Sequence, residues 1–140
     1  MSALVLTRPL FAQLIIPSDG SDGALNITTS TNIDLSRAVT GAWDANNTTN
    51  VGKGIYDVSK WAVVFKYSSV NIAAGATVTF KNHASRAPVV WLVQSNVNIA
   101  GTLSLDGERG LTQSANLVEG GPGGFRGGAP VQVGLSESSG

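Results

Sequence analysis

Two neighbouring carboxylates are the residues whose type and spacing come closest to a catalytic pair. Asp106 and Glu108 lie two positions apart directly after a predicted strand, so both side chains can project to one side. Paired carboxylates act as acid and base in glycoside hydrolysis. A turn at Asp106-Gly107 and a solvated charge, with Arg109 alongside to neutralise either carboxylate, explain the same residues without catalysis. We therefore predict no catalytic residue.

A metal site has few candidate ligands. His83 is the only histidine and the chain has no cysteine, which argues against a transition-metal site. Oxygen groups that suit calcium occur in two clusters, one with Asp19 and Asp22 and one with polar side chains at alternate positions from 44 to 50. Turns rich in Asp and Asn explain both clusters without a metal. We predict no bound metal and no cofactor.

Aromatic side chains are candidates for contacts with a glycan or with another protein. Trp43 precedes a run rich in Asn and Thr, and it is the best candidate for an exposed ring that stacks on a sugar. Trp61 and Trp91 lie in apolar runs and are predicted to be in the core. Phe125 stands among glycines beside Arg126, and its ring is a candidate to fill a pocket on a neighbouring subunit.

The composition excludes several functional classes. Nine Lys and Arg residues balance nine Asp and Glu residues, so the chain lacks the basic character of a protein that binds nucleic acid or an anionic membrane. The absence of cysteine excludes disulfides, iron–sulfur clusters and zinc–thiolate sites. No apolar stretch approaches the roughly 20 residues that a membrane-spanning helix needs. The 42% hydrophobic content of these 140 residues is enough for the core of one domain.

The apolar pattern predicts an all-β fold. Residues alternate along Trp61–Tyr67, with Trp61, Val63 and Phe65 on one face. Pro88–Val93 is apolar at every position, as expected of a strand that is covered on both faces. Shorter alternating runs predict further strands at Val70–Ile72, Thr77–Phe80, Val97–Ile99 and Leu103–Leu105.

A repeat indicates how these strands are arranged. The word VNIA begins at Val70 and again, 27 residues later, at Val97, and each copy precedes a turn of small residues and another alternating run. A repeat of this length is typical of a solenoid, in which each coil buries its apolar face against its neighbours. A chance match in a sequence of low diversity is the alternative.

These patterns divide the chain into three parts. Residues 1–17 form an apolar N-terminal arm or a first strand, residues 18–106 form the β-rich domain, and residues 107–140 form a glycine-rich loop or tail. We predict a short domain that resembles a parallel β-helix (β-solenoid) or a sandwich, with both ends available to contact neighbouring subunits. The predicted interaction residues are Leu10, Phe11, Leu14, Ile15, Trp43, Phe125 and Arg126.

Four runs resemble the opening of parallel β-helix proteins from phage virions and bacterial surfaces. They are SDGSDGALNITTSTNIDL from Ser18, VNIAAGATVTF from Val70, PVVWLVQSNVNIAGTLSLDG from Pro88 and GGPGGFRGG from Gly120. The resemblance extends over residues 18–128. It rests on short sequence motifs that determine turns and packing, which are specific for the architecture and say nothing about chemistry.

The resemblance and the composition together suggest a non-enzymatic structural subunit located in a virion. Such a capsid decoration, tail or fibre component contacts copies of itself or other virion structural proteins. One alternative is an adhesin-like or carbohydrate-binding module at the cell surface or outside the cell, whose partner is a surface glycan. Another is a polysaccharide-degrading enzyme, in which Asp106 or Glu108 lines a cleft with a second carboxylate nearby.

Overall fold

Short β-strands and turns make up the structure. The computed structural model describes residues 17–107 and 119–124, and no α-helix occurs among them. Single turns of 3-10 helix lie at Leu35–Arg37 and Thr48–Asn50. The prediction of an all-β protein is confirmed. The strands are β1 (Ala24–Ile27), β2 (Thr31–Asp34), β3 (Val39–Thr40), β4 (Ile55–Asp57), β5 (Ala62–Tyr67), β6 (Ser69–Ile72), β7 (Thr77–Lys81), β8 (Val89–Val93), β9 (Val97–Ile99) and β10 (Thr102–Leu103).

The strands form three sheets in which parallel pairing predominates. Sheet A has the order β1-β6-β9 and sheet B the order β2-β7-β10, and both are parallel throughout. Sheet C has the order β3-β4-β5-β8, and only β4 and β5 are antiparallel. Successive parts of the chain therefore lie side by side as a first layer (β1 and β2), a second layer (β5 to β7) and a third layer (β8 to β10).

The repeated word VNIA sets the register between the second and third layers. Val70 pairs with Val97 and Asn71 pairs with Asn98, an offset of 27 residues. Asn26 of the first layer pairs with Asn71 at the larger offset of 45 residues. The offset is larger because the chain between the first two layers also contains β3 and β4. The predicted repeat is thus a real pairing of parallel strands.

The hydrophobic core takes side chains from all three sheets. Ile72 of sheet A, Val78 of sheet B and Phe65 of sheet C belong to one cluster of buried residues, which Leu35 joins from the first 3-10 turn. Because neighbouring layers cover each other, the alternating positions of the middle strands are removed from water.

Two details of the predicted strands are wrong. The strand predicted from Trp61 begins one residue later, because Trp61 has a φ of 48° and its side chain is exposed. β8, which was predicted to be covered on both faces, lies at the edge of sheet C and leaves Val90 exposed. The strand that is buried at all positions is β5, because turns around Asp19 and Ala45 cover the face that carries Lys66.

Candidate functional site

A polar cleft of about 600 Å³ lies beside the end of β7. Residues 80–84 and Arg86 form one wall, and Asp106 and residues 119–121 form another. The lining includes His83, two cationic side chains and two carboxylates, which are the types of group that bind polar ligands. This is where the structure places Asp106, and the second carboxylate is Glu119.

Glycines allow residues 119–121 of the second wall to lie close to the backbone of residues 105–107. A Cβ atom on Gly121 would overlap the backbone carbonyl of Leu105, and one on Gly107 would lie 2.8 Å from the carbonyl oxygen of Glu119. The side-chain amide of Asn82 donates to the carbonyl oxygen of Gly120 at 2.6 Å. Residues 119–121 are therefore held against the end of the third layer, and only glycine allows this approach at position 121.

The two carboxylates of the cleft are in different surroundings. Arg86 binds Glu119 through both guanidinium ends, with nitrogen–oxygen distances of 2.7 and 2.9 Å. A charge-assisted hydrogen bond together with this ion pair fixes the orientation of the Glu119 carboxylate. Asp106 accepts a hydrogen bond from the Ser104 hydroxyl at 3.1 Å and forms no ion pair within residues 17–107 and 119–124.

His83 is held in place by its neighbours. Its Nδ1 lies 2.7 Å from the Ser85 hydroxyl oxygen, and its ring packs on Tyr56 with a distance of 4.2 Å between ring centroids. No group of three or more His, Cys, Asp or Glu residues that could hold a metal ion occurs within the described ranges.

The turns considered as calcium ligands surround a lysine instead. Lys66 is 1% exposed, and its Nζ donates to Asp19 Oδ2 at 3.1 Å and to the carbonyl oxygen of Ala45. Burial raises the pKa of Asp19, but hydrogen bonds from Ser21 and the interaction with Lys66 outweigh it and lower the pKa to about 2. The ammonium group supplies at this position the positive charge that a metal ion would bring.

Asp22 links three separate segments beneath these turns. Its buried carboxylate accepts hydrogen bonds from the Asn47 side chain at 2.7 Å, from the Gly52 backbone at 3.0 Å and from the Lys66 backbone at 2.8 Å. Such hydrogen bonds satisfy groups that would otherwise be buried without partners. Asp22 of the first cluster thus has a structural role, which the sequence alone did not distinguish from ligand binding.

Only one of the predicted interaction residues lies in the described part of the chain. Trp43 is half-buried, and its backbone N–H donates to Asp57 Oδ2 at 3.1 Å. The exposed tryptophan is Trp61, whose Nε1 donates to the carbonyl oxygen of Ser85 at 3.1 Å. Trp91 packs against the core, as predicted. The predicted residues outside the described ranges are Leu10, Phe11, Leu14, Ile15, Phe125 and Arg126, and Glu108 is outside them as well.

The third layer leaves apolar side chains exposed at the outer edge of sheet A. Val97 is 56% exposed and Ile99 is 45% exposed. Their partners in the second layer, Val70 and Ile72, are 1% and 0% exposed. The side chains that a layer on each side covers in the middle of the sheet therefore meet water at β9. We call the outer edges of β9 and β10 the third-layer edge.

The opposite end of the same sheets is also open. The outer edges of β1 and β2, which we call the first-layer edge, border a cleft of about 430 Å³. Leu25, Ile27 and Ile33 line it together with Tyr67. Burial, followed by the charge of Asp22, raises the pKa of Tyr67 above its ordinary value of 10.0. Apolar side chains thus form part of this cleft, together with charged residues such as Asp34 and Arg37.

Comparison with known protein families, with curated proteins and with solved structures gives no significant match for this chain. Within the described ranges, no helix is long and apolar enough to cross a membrane.

Proposed function

We propose that this chain is a non-enzymatic structural subunit of a larger assembly, built as a short parallel β-solenoid. The observation that carries this proposal is the exposure of Val97 and Ile99 at the third-layer edge, where the equivalent Val70 and Ile72 one layer away are buried. Subunit contacts at this edge would complete the burial that the second layer already has.

The chemistry of an open sheet edge supports this role. An edge strand presents unpaired backbone N–H and C=O groups, which are a template for a strand from another chain. Main-chain pairing gives affinity in such contacts, while alternate side chains give specificity. An edge that also carries exposed valine and isoleucine adds apolar area to these hydrogen bonds.

For the setting of this assembly we propose a phage virion, in which the subunit is a capsid decoration, tail or fibre component. The support is the resemblance of residues 18–128 to parallel β-helix proteins of virions and bacterial surfaces. The partners are then copies of this chain or other structural proteins of the virion.

The test is the mass of the full chain in solution. We expect size-exclusion chromatography with light scattering to give particles of several chains whose mass falls on dilution, as mass action requires. The mass of a single chain at every accessible concentration would contradict assembly through contacts between copies.

A second candidate function is the binding or cleavage of a polysaccharide in the polar cleft. The observation that favours it is the presence of Asp106 and Glu119 in one cleft, as the enzyme alternative requires. The pairing of Glu119 with Arg86 favours binding over catalysis, because Arg86 already occupies the carboxylate oxygens that a catalytic acid or base must present to the substrate.

The Asp106→Ala variant tests this second function against Asp44→Ala, which removes an exposed carboxylate outside the cleft. We expect glycan binding or turnover to be lost in Asp106→Ala and kept in Asp44→Ala. Equal behaviour of the two variants on every glycan bound or cleaved by the wild-type chain would exclude the cleft as the site.

A further inference from the structure

The first-layer edge and the third-layer edge of this chain are complementary to each other. On the basis of the assembly function proposed above, we propose that copies stack head to tail, with β1 of one copy adding in parallel to β9 of the next. The partner is a second copy of this chain, and the surface consists of the outer edges of sheets A and B.

A ladder of asparagine side chains crosses sheet A from β9 to β1. The amide of Asn98 donates to Asn71 Oδ1 at 2.9 Å, and the amide of Asn71 donates to Asn26 Oδ1 at 2.8 Å. Within the described ranges, Asn26 Nδ2 has no acceptor and Asn98 Oδ1 has no donor. Asn26 of a second copy, placed on Asn98, would extend the ladder in the same direction.

The backbone allows that register. Val70 donates to the carbonyl oxygen of Asn96, and Ala100 donates to that of Ile72, so the even-numbered residues of this strand face β6. Ladder bonds alternate between the two sides of a strand, which leaves the N–H and C=O groups of Val97 and Ile99 directed outward.

The same alternation orients β1. Ala73 donates to the carbonyl oxygen of Ile27, which therefore faces β6, and the N–H and C=O groups of Asn26 face outward. Asn26 of a second copy can then bond to the residues that flank Asn98, which is how a residue pairs in a parallel sheet.

Sheet B accepts the second copy in the same register. Thr31 and Leu103 both pair with Val78, so these three residues form a column, that is, a row of paired residues that runs across the strands of the sheet. Asn26 and Asn98, which both pair with Asn71, form the corresponding column of sheet A. The number of residues from Thr31 to Leu103 equals the number from Asn26 to Asn98. A copy that is aligned on β9 is therefore aligned on β10 at the same time, and the contact covers the exposed Val97 and Ile99 of one copy together with the first-layer cleft of the next.

One column opposes the contact. Asp34 pairs with Lys81 at 3.1 Å, and the β7–β10 register, extended beyond Leu103, places Asp106 beside Lys81. Stacking brings Asp34 of the second copy toward Asp106, and like charges that face each other across strands are unfavourable. Asp106→Asn should therefore strengthen the association by about two- to fivefold.

Sedimentation velocity of the full chain tests the surface. Val97→Lys places a charge on β9 and should weaken the association at least about tenfold, because apolar contact is lost. Val58→Lys is the matched control, since Val58 is also exposed but lies in the turn between β4 and β5, outside the third layer. Equal association of the two variants would overturn the proposed surface.

A mixture of two blocked variants tests the head-to-tail geometry. Asn26→Pro removes the outward N–H of β1, and Asn26→Lys replaces it if the proline variant does not fold by circular dichroism. Val97→Lys alone and Asn26→Pro alone should each remain monomeric. Their mixture should form dimers, in which the first-layer edge of Val97→Lys contacts the third-layer edge of Asn26→Pro.

The outcomes separate the two proposals. A wild-type chain that is monomeric at all concentrations contradicts the head-to-tail inference and any assembly through contacts between copies. A wild-type chain that associates, with a mixture that does not pair, overturns the head-to-tail inference and leaves the assembly function standing. Self-association of Asn26→Pro as strong as that of the wild type would also overturn it, because the contact would then join like edges.

Discussion

Replacement of Asp22 by alanine should destabilise the protein more than any change on its polar surface. The variant removes the common acceptor of the Asn47 side chain, the Gly52 backbone and the Lys66 backbone. Gly52 is exposed and its N–H can turn to water, but Asn47 and Lys66 are buried. Two buried donors then lose an acceptor, at about 1–3 kcal/mol each, so we expect a loss of about 2–6 kcal/mol.

Urea unfolding followed by tryptophan fluorescence measures this loss at neutral pH. The matched control is Asp44→Ala, which removes an exposed carboxylate that forms no hydrogen bond or ion pair within the described ranges. The control should change the free energy of unfolding by no more than about 0.5 kcal/mol. If the two variants unfold at the same urea concentration, the Asp22 network does not hold these turns together.

Three further changes follow from single contacts. The pKa of Asp19 is lowered from 3.8 to about 2, so the stabilisation that its carboxylate provides is fully present above pH 3.8 and is lost as the pH falls through about 2. The free energy of unfolding, measured at a series of pH values, should therefore decline less steeply with falling pH in Asp19→Asn than in the wild type. Burial raises the pKa of Tyr67 above 10.0, so the free energy of unfolding should fall as the pH rises above 10.0, and Tyr67→Phe should abolish that part of the fall. A Cβ atom on Gly54 would lie 2.9 Å from the Phe65 ring, whereas a Cβ atom on Gly52, which has a similar positive φ, would have no atom within 4 Å. Thermal unfolding should therefore show Gly54→Ala to be less stable than Gly52→Ala by about 1–3 kcal/mol.

The pairing of the second and third layers was predictable from the sequence. Two copies of VNIA at Val70 and Val97 signal that two segments have the same structure, and parallel pairing at that offset is the arrangement in which equal side chains stack. The first layer was harder to recognise. Asn26 belongs to the same column, but the segment containing β3 and β4 separates it from Asn71, and the antiparallel pairing of β4 has no counterpart in the repeat.

The surroundings of individual side chains were less predictable, because they depend on distant parts of the chain. Lys66 looks like a solvent-facing residue of an alternating strand, but turns from positions 19 and 45 cover it. Asp106 was recognised as a candidate, but its companion in the cleft, Glu119, is separated from it in sequence. Gly107 and Gly121 allow the close backbone approach that brings the two carboxylates into one cleft. No local sequence pattern predicts such contacts between distant residues.

Residue-resolved amide hydrogen exchange tests most directly whether the third-layer edge is an association surface. The amide of Asn98 faces β6 and should be protected at every protein concentration, whereas the amides of Val97 and Ile99 face outward. We expect Val97 and Ile99 to exchange rapidly in dilute solution and to become protected as the concentration rises. Rapid exchange of both amides in solutions where particles of several chains have formed would contradict this role of the edge.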